Sequence, residues 1–92
     1  MLSYEEKIKI INDFKISEKD KGSSDVQIAL ISKNISLLTE HLKKNKKDFH
    51  ARKGLINMVN KRRKLLNYLK KNNSKRYMNI MQILGIRHSI KQ

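Results

Sequence analysis

The sequence predicts an all-α fold of four helices, two of them long and antiparallel over about residues 24–43 and 50–71, with short N-terminal and C-terminal helices packed on them. Three observations carry this expectation. The 92 residues contain no proline, and only Gly22, Gly54 and Gly85 loosen the backbone. Apolar side chains recur every three or four positions rather than alternately. Residues that cap helices stand where one periodic segment gives way to the next.

Each element can be justified in turn. Ser3 followed by Glu6 has capping-box spacing, and Ile8, Ile11 and Phe14 follow at i, i+3 and i+6, which gives a first helix of about ten residues fading near Ile16. Ser17 to Ser23, with Gly22, is a loop by composition. Ser24 and Gln27 repeat the capping-box spacing and open a second helix that runs to about Lys43. On it Ile28, Ile31, Ile35, Leu38 and Leu42 form one apolar stripe, and Val26, Leu30 and Leu37 form another. Between the stripes lies a polar line of Gln27, Asn34 and His41, about 21 Å long at 1.5 Å per residue. Sheltered on both sides, its members should have partners.

Lys43 to Lys47 make a connection, and Asp48 is placed to cap a third helix that starts at Phe49 or His50 and ends near Lys71. Leu55, Met58, Val59, Leu65, Leu66 and Leu69 give it an apolar face. Lys53, Asn57, Asn60, Lys61, Lys64, Tyr68 and Lys71 gather on the opposite arc. Arg62 falls within the apolar face and should snorkel or pair with an upstream acid. Asn72, Asn73 and Ser74 supply a turn and an N-cap. Tyr77, Ile80, Met81 and Leu84 then mark a short fourth helix closed by Gly85. Residues 1–92 read as one domain, with 88–92 a frayed basic tail.

Charge narrows the function. Twenty-two Lys and Arg oppose eight Asp and Glu, a net of +14. All eight acids lie at or before Asp48 with ten of the cations, a net of +2. Twelve Lys and Arg and no acid follow, a net of +12. Such a polycationic half needs a polyanion to neutralise it, and nucleic acid gains affinity there by counterion release. Without cysteine there is no disulfide, thiolate metal site or cysteine nucleophile. The three histidines and the scattered acids form neither an acid/base dyad nor a metal-ligand spacing, and no glycine-rich loop cradles a phosphate, so the chain reads as no enzyme, with no cofactor and no small-molecule substrate. No apolar run reaches the length of a membrane span, and Met1 to Phe14 lacks the core of a signal peptide. The row of Lys61, Lys64 and Lys71 interrupted by Tyr68 combines cations with a stacking ring, as RNA recognition requires.

Gly22-Ser23-Ser24-Asp25-Val26-Gln27, His41-Leu42, Lys46-Lys47-Asp48, Gly54-Leu55, Met58-Val59, Arg62-Arg63-Lys64-Leu65-Leu66, Tyr68-Leu69, Arg76-Tyr77 and Leu84-Gly85-Ile86-Arg87 together resemble the bacterial-type small-subunit ribosomal protein fifteen family, from about Glu5 to Arg87. The resemblance implies a four-helix, primary 16S rRNA-binding protein of the small subunit, working in a cytoplasmic or organellar ribosome. It implies that Lys21, Gly22, Ser24, Gln27, Asn34, Lys64, Tyr68 and Lys71 hold a three-way junction in the 16S central domain, nucleating platform assembly. A second site, at His41, Asp48 and Ala51, would read a G·U/G·C step through the minor groove. Here Ala51 stands where the family has a serine, which implies weaker discrimination, and Asn45 and Phe49 replace common histidines. Lysines or asparagine at 34, 64 and 71, where the family tends to arginine, lose its bidentate fork. The resemblance further implies that Lys43, Lys44, Lys46 and Lys47 touch 23S rRNA across the subunit interface, in an intersubunit bridge, and that neighbouring small-subunit proteins are partners. A general DNA-binding or nucleoid-compacting basic helical protein is the alternative, although no recognition helix stands out. A membrane-surface role would need exposed apolar faces that these stripes use against one another.

Overall fold

The computed structural model describes residues 2–17 and 22–85, and these form four helices with no strand among them. They are α1 (Tyr4–Phe14), α2 (Ser24–Lys44), α3 (Phe49–Asn72) and α4 (Ser74–Leu84). Lys21, Arg87 and the expected tail at 88–92 lie outside the described residues.

Local chemistry sets most of the boundaries. The α1 capping box forms as its spacing predicts: the Glu6 amide donates to Ser3 Oγ at 3.1 Å, and the Ser3 amide donates to Glu6 Oε1 at 3.0 Å. The Ser3 amide first, and the Ser3 hydroxyl second, hold the Glu6 carboxyl below its usual range. At α2 the expected cap is displaced by one residue. Ser23, in extended conformation, accepts the Val26 amide at 3.3 Å, whereas Ser24 is already helical. Gln27 therefore does not complete a box with Ser24, and its Nε2 donates instead to the Gly22 carbonyl at 2.7 Å. Asp48 caps α3 through the Ala51 amide, and Asn73 caps α4 through the Arg76 amide. Gly85 ends α4 with φ of +61°, the left-handed conformation that costs glycine least.

The core lies where α2, α3 and α4 meet. Ile28, Leu66, Leu69, Tyr77 and Ile80 are buried together, with Phe14, Leu65, Met81 and Leu84 packed around them. From α1 only partial burial comes, through Ile10, Ile11 and Phe14. Ile8, expected on the packed face, is 37% exposed, because α1 meets α2 along the neighbouring edge of its apolar surface. Of the two expectations for Arg62, pairing with an acid is not met among the described residues; Nη1 donates to Ser32 Oγ on α2 at 3.2 Å, and burial lowers the guanidinium pKa.

Arg62 facing Ser32, and Gly54 facing Leu38, define an antiparallel register between α2 and α3. Extending it by 1.5 Å per residue sets Gln27 roughly level with the Leu65–Tyr68 turn, and His41 roughly level with Ala51 and Arg52. The molecule is a plate of 39 × 36 × 18 Å. Its radius of gyration of 13.8 Å exceeds the roughly 12 Å of a compact domain of this size, so the helix pair is broadly exposed on its sides.

Candidate nucleic-acid interface

The cationic arc of α3 folds as its periodicity predicts. Lys53, Asn57, Asn60, Lys61, Lys64, Tyr68 and Lys71 are all exposed, while Leu66 and Leu69 one step round the helix are buried. Tyr68 keeps 61% of its surface despite its apolar ring. Its backbone is secured by the Asn72 side chain, whose Nδ2 donates to the Tyr68 carbonyl at 2.8 Å. An exposed ring among lysines can stack on a base while the ammonium groups meet phosphates.

Level with the Lys64–Tyr68 part of that arc, by the register, stands the start of α2. Gly22 is exposed, Ser24 and Gln27 are half-buried, and the Gln27–Gly22 bond closes the loop onto the helix. A second tie was not visible in the local sequence. Asp25, only 6% exposed, is paired with Arg76 of α4, fifty-one positions away. The acid thus anchors the first turn of α2 to α4, beneath the Gly22–Gln27 loop. Further along, Asn34 is half-buried, and its Oδ1 is enclosed with no hydrogen-bond donor among the described residues. The expected partner for this member of the polar line is missing.

At the other end of the helix pair, the α2–α3 elbow brings His41, Asp48 and Ala51 together. His41 Nε2 lies 2.8 Å from Asp48 Oδ2, and the Ala51 amide donates to Asp48 Oδ1 at 3.0 Å. The His41 bond first, and the Ala51 amide second, hold the Asp48 carboxyl below its ordinary value of 3.8. Ala51 therefore contributes its backbone, not a side chain. Asn45 closes the far side of the ring: Nδ2 donates to the His41 carbonyl at 3.1 Å and lies 3.5 Å from His41 Nδ1. Arg52, which sequence reasoning passed over, fastens the turn by donating to the Lys46 carbonyl at 2.7 Å while lying over the Phe49 ring at 5.9 Å.

Lysines surround this elbow. Lys43, Lys44, Lys46 and Lys47, with Asn45 and Asp48, line an open groove of about 490 Å³. Lys43 is shared with Glu40 at 3.2 Å in an exposed pair of little energetic weight. Asp48 is the one acid in the groove. Among the described residues no cluster of three metal-ligating side chains forms, and no helix is long and apolar enough to cross a membrane.

A profile described as ribosomal protein S15 matches residues 7–87. The small ribosomal subunit protein uS15 of Carboxydothermus hydrogenoformans is 52% identical over 86 residues, covering 94% of this chain and 97% of that protein. Its counterpart from Dictyoglomus thermophilum is 51% identical over 86 residues, with the same coverage.

Proposed function

The chain belongs to the ribosomal protein S15 family, whose members are non-enzymatic constituents of the small ribosomal subunit, and from this premise we propose that it bridges two parts of 16S rRNA through the two ends of its α2–α3 pair. The observation that carries the reading is the antiparallel register. It sets Gly22, Ser24 and Gln27 beside the turn bearing Lys64 and Tyr68 at one end, and His41 and Asp48 at the other, about 21 Å away along α2.

The two ends suit different RNA features. At the first, Lys64, Lys71 and Lys21 meet phosphates of a three-way junction, Tyr68 stacks, and Gln27 offers the Oε1 acceptor that its bond to Gly22 leaves over. Asn34 contributes only through Nδ2, a donor suited to phosphate, since its oxygen is enclosed. The second end meets a helix through the shallow minor groove, where a guanine presents its 2-amino group and the backbone its 2′-hydroxyls. A carboxylate is repelled by phosphate and accepts only from donors, so Asp48 favours that amino group over the groove's acceptors. The lysines around it hold the strands. The family resemblance, together with the groove they line, supports Lys43, Lys44, Lys46 and Lys47 as contacts to 23S rRNA at the subunit interface.

Chemical footprinting on fragments of the 16S central domain tests the proposal. Two separated protections are expected, one at a three-way junction and one in the minor groove of an adjoining helix. A single continuous protection, or protection outside the central domain, refutes it.

A further inference from the structure

The elbow contains one more polar side chain whose geometry is as specific as that of Asp48. Asn45 is the C-cap of α2, and its amide nitrogen sits between two atoms of the residue one turn earlier, the carbonyl and Nδ1 of His41. The carbonyl can only accept, so the group 3.1 Å from it is the NH2 and not the amide oxygen. That leaves the second hydrogen of the NH2 facing Nδ1 at 3.5 Å. A proton on Nδ1 would set two N–H groups against each other. On the opposite edge of the ring, Asp48 Oδ2 needs a donor from Nε2.

We infer that Asn45 is a positioning residue which fixes His41 as the Nε2–H tautomer, and that the His41–Asp48 pair consequently faces its ligand with acceptors only, selecting guanine through its 2-amino group. The inference rests on the reading of the elbow as an RNA-binding site and adds the residue that sets its polarity. With Nδ1 occupied by Asn45 and Nε2–H spent on Asp48, His41 has no donor left to offer. Asp48 spends one lone pair of Oδ2 on His41 and one of Oδ1 on the Ala51 amide, and keeps the others. Were Nδ1 protonated, the same ring would present a donor and would donate to the groove's N3 or O2 atoms, which every base pair carries. Asn45 thereby separates a guanine-selective elbow from an indiscriminate one.

The test uses the full chain, the variants Asn45→Asp and Asn45→Ala, and two RNA duplexes that differ only by inosine for guanine at a G·U/G·C step, a change that deletes the 2-amino group. Ring nitrogen resonances of His41, read by long-range 15N–1H correlation at about pH 8 where histidine is ordinarily neutral, report which nitrogen carries the proton. The parent should show a proton on Nε2 alone and bind the guanine duplex about tenfold more tightly than the inosine one, as expected for loss of one well-made base contact. Asn45→Asp places an acceptor against Nδ1. It should draw the proton there and reduce the guanine-to-inosine ratio below about twofold. The ratio cancels any general loss of affinity from the added negative charge. Asn45→Ala removes the donor without adding charge and should give mixed ring protonation and an intermediate ratio. Unchanged ring resonances in both variants, or a ratio unchanged while the proton moves, overturns the inference and leaves the elbow's role in RNA binding standing. A parent ratio near one overturns the inferred selectivity, whereas loss of the elbow's protection in footprinting would overturn its role in RNA binding. Thermal melts of each variant show that the elbow remains folded, since a loosened cap alone would lower the melting temperature without moving the proton.

Discussion

Replacing Asn34 by leucine should stabilise the protein and weaken its hold on RNA. Asn34 Oδ1 is enclosed without a donor among the described residues, between two apolar stripes of α2. A buried acceptor left unsatisfied costs about 1–3 kcal/mol, and leucine removes it. Leucine also buries about 40 Å² more apolar surface, worth about 1 kcal/mol at 25 cal/mol per Å², and is the better helix former by a few tenths of a kcal/mol. Its two methyl groups are bulkier than the oxygen and NH2 they replace and work against these gains through crowding, by about 1–2 kcal/mol. The balance is a gain of about 1–2 kcal/mol, and at about 4–8 °C per kcal/mol the melting temperature should rise by roughly 4–16 °C. Calorimetry and urea unfolding measure it. Asn34→Asp serves as the opposite control, because a carboxylate in the same place must lose its charge or its burial. In parallel, affinity for junction RNA should fall for Asn34→Leu, which has no donor for phosphate. A melting temperature unchanged or lowered for Asn34→Leu refutes the reasoning, since it would mean that the oxygen is satisfied in the folded protein.

Three further outcomes follow from the geometry. Tyr68→Ala and Gln27→Ala should each cost about 1–3 kcal/mol in binding junction RNA, read by filter binding at fixed salt, with melting temperatures close to the parent because Tyr68 is exposed and Gln27 bonds only to a loop carbonyl. Neutral results for both would remove the junction site. Arg76→Met should destabilise by about 3 kcal/mol in urea unfolding, because it leaves the buried Asp25 without its guanidinium, and Asp25→Asn combined with it should recover most of that loss; a double variant as unstable as the single one would contradict the pairing. The Asp48 carboxyl is held below 3.8 in the folded protein, so its contribution to stability is present above about pH 4 and is lost as pH falls through the folded value. Asn caps helices about as well as Asp, so the stability difference between the parent and Asp48→Asn reports the bond to His41. In melts from pH 5 down to 3 that difference should shrink as the carboxyl protonates; a difference that grows over this range would reverse the assignment.

How much of this was legible in the sequence depended on distance along the chain. The cationic arc around Tyr68 needed only the 3.6-residue period, and all seven of its members are exposed as that period requires. The Asp48 cap and the Ser3–Glu6 box are contacts over three residues and were equally plain. Adjacent serines were harder. Ser23 and Ser24 are chemically identical, and the choice between them is made by where the backbone leaves its extended conformation after Gly22. Ile8 was misplaced because α1 carries apolar residues on two adjoining edges, and only docking on α2 decides which is covered. The partners of Arg62 and Asp25 lie thirty and fifty-one positions away, beyond any local pattern. For Asn34 the local pattern was right about shelter and wrong about satisfaction, because a donor would have had to come from another helix.

The spacing of the two proposed RNA sites bears on what the protein does beyond adhering to RNA. Its charge is concentrated after Asp48, and charge alone would attach the chain to any helix at low salt. A flexible polycation would do so with no effect on RNA shape. Here the two sites sit on one helix pair, closed at the elbow by Arg52 and Asp48, with the other end of α2 tied to α4 by the Asp25–Arg76 pair. Binding at one end presents the other about 21 Å away in a fixed direction, so the second site engages only when the RNA junction has the matching angle. Moving a junction from one part in a hundred to ninety-nine requires a difference of about 5.5 kcal/mol between conformers. Two or three contacts of about 1–3 kcal/mol at the second end meet that requirement. By this arithmetic the lysines supply affinity for every conformer, and selection falls to the few uncharged or acidic contacts, Gln27, Tyr68 and the Asn45–His41–Asp48 group. Raising salt should therefore weaken binding to all junction RNAs while leaving the preference for the correct angle largely intact. A preference that vanished along with the affinity would return the selecting role to the lysines.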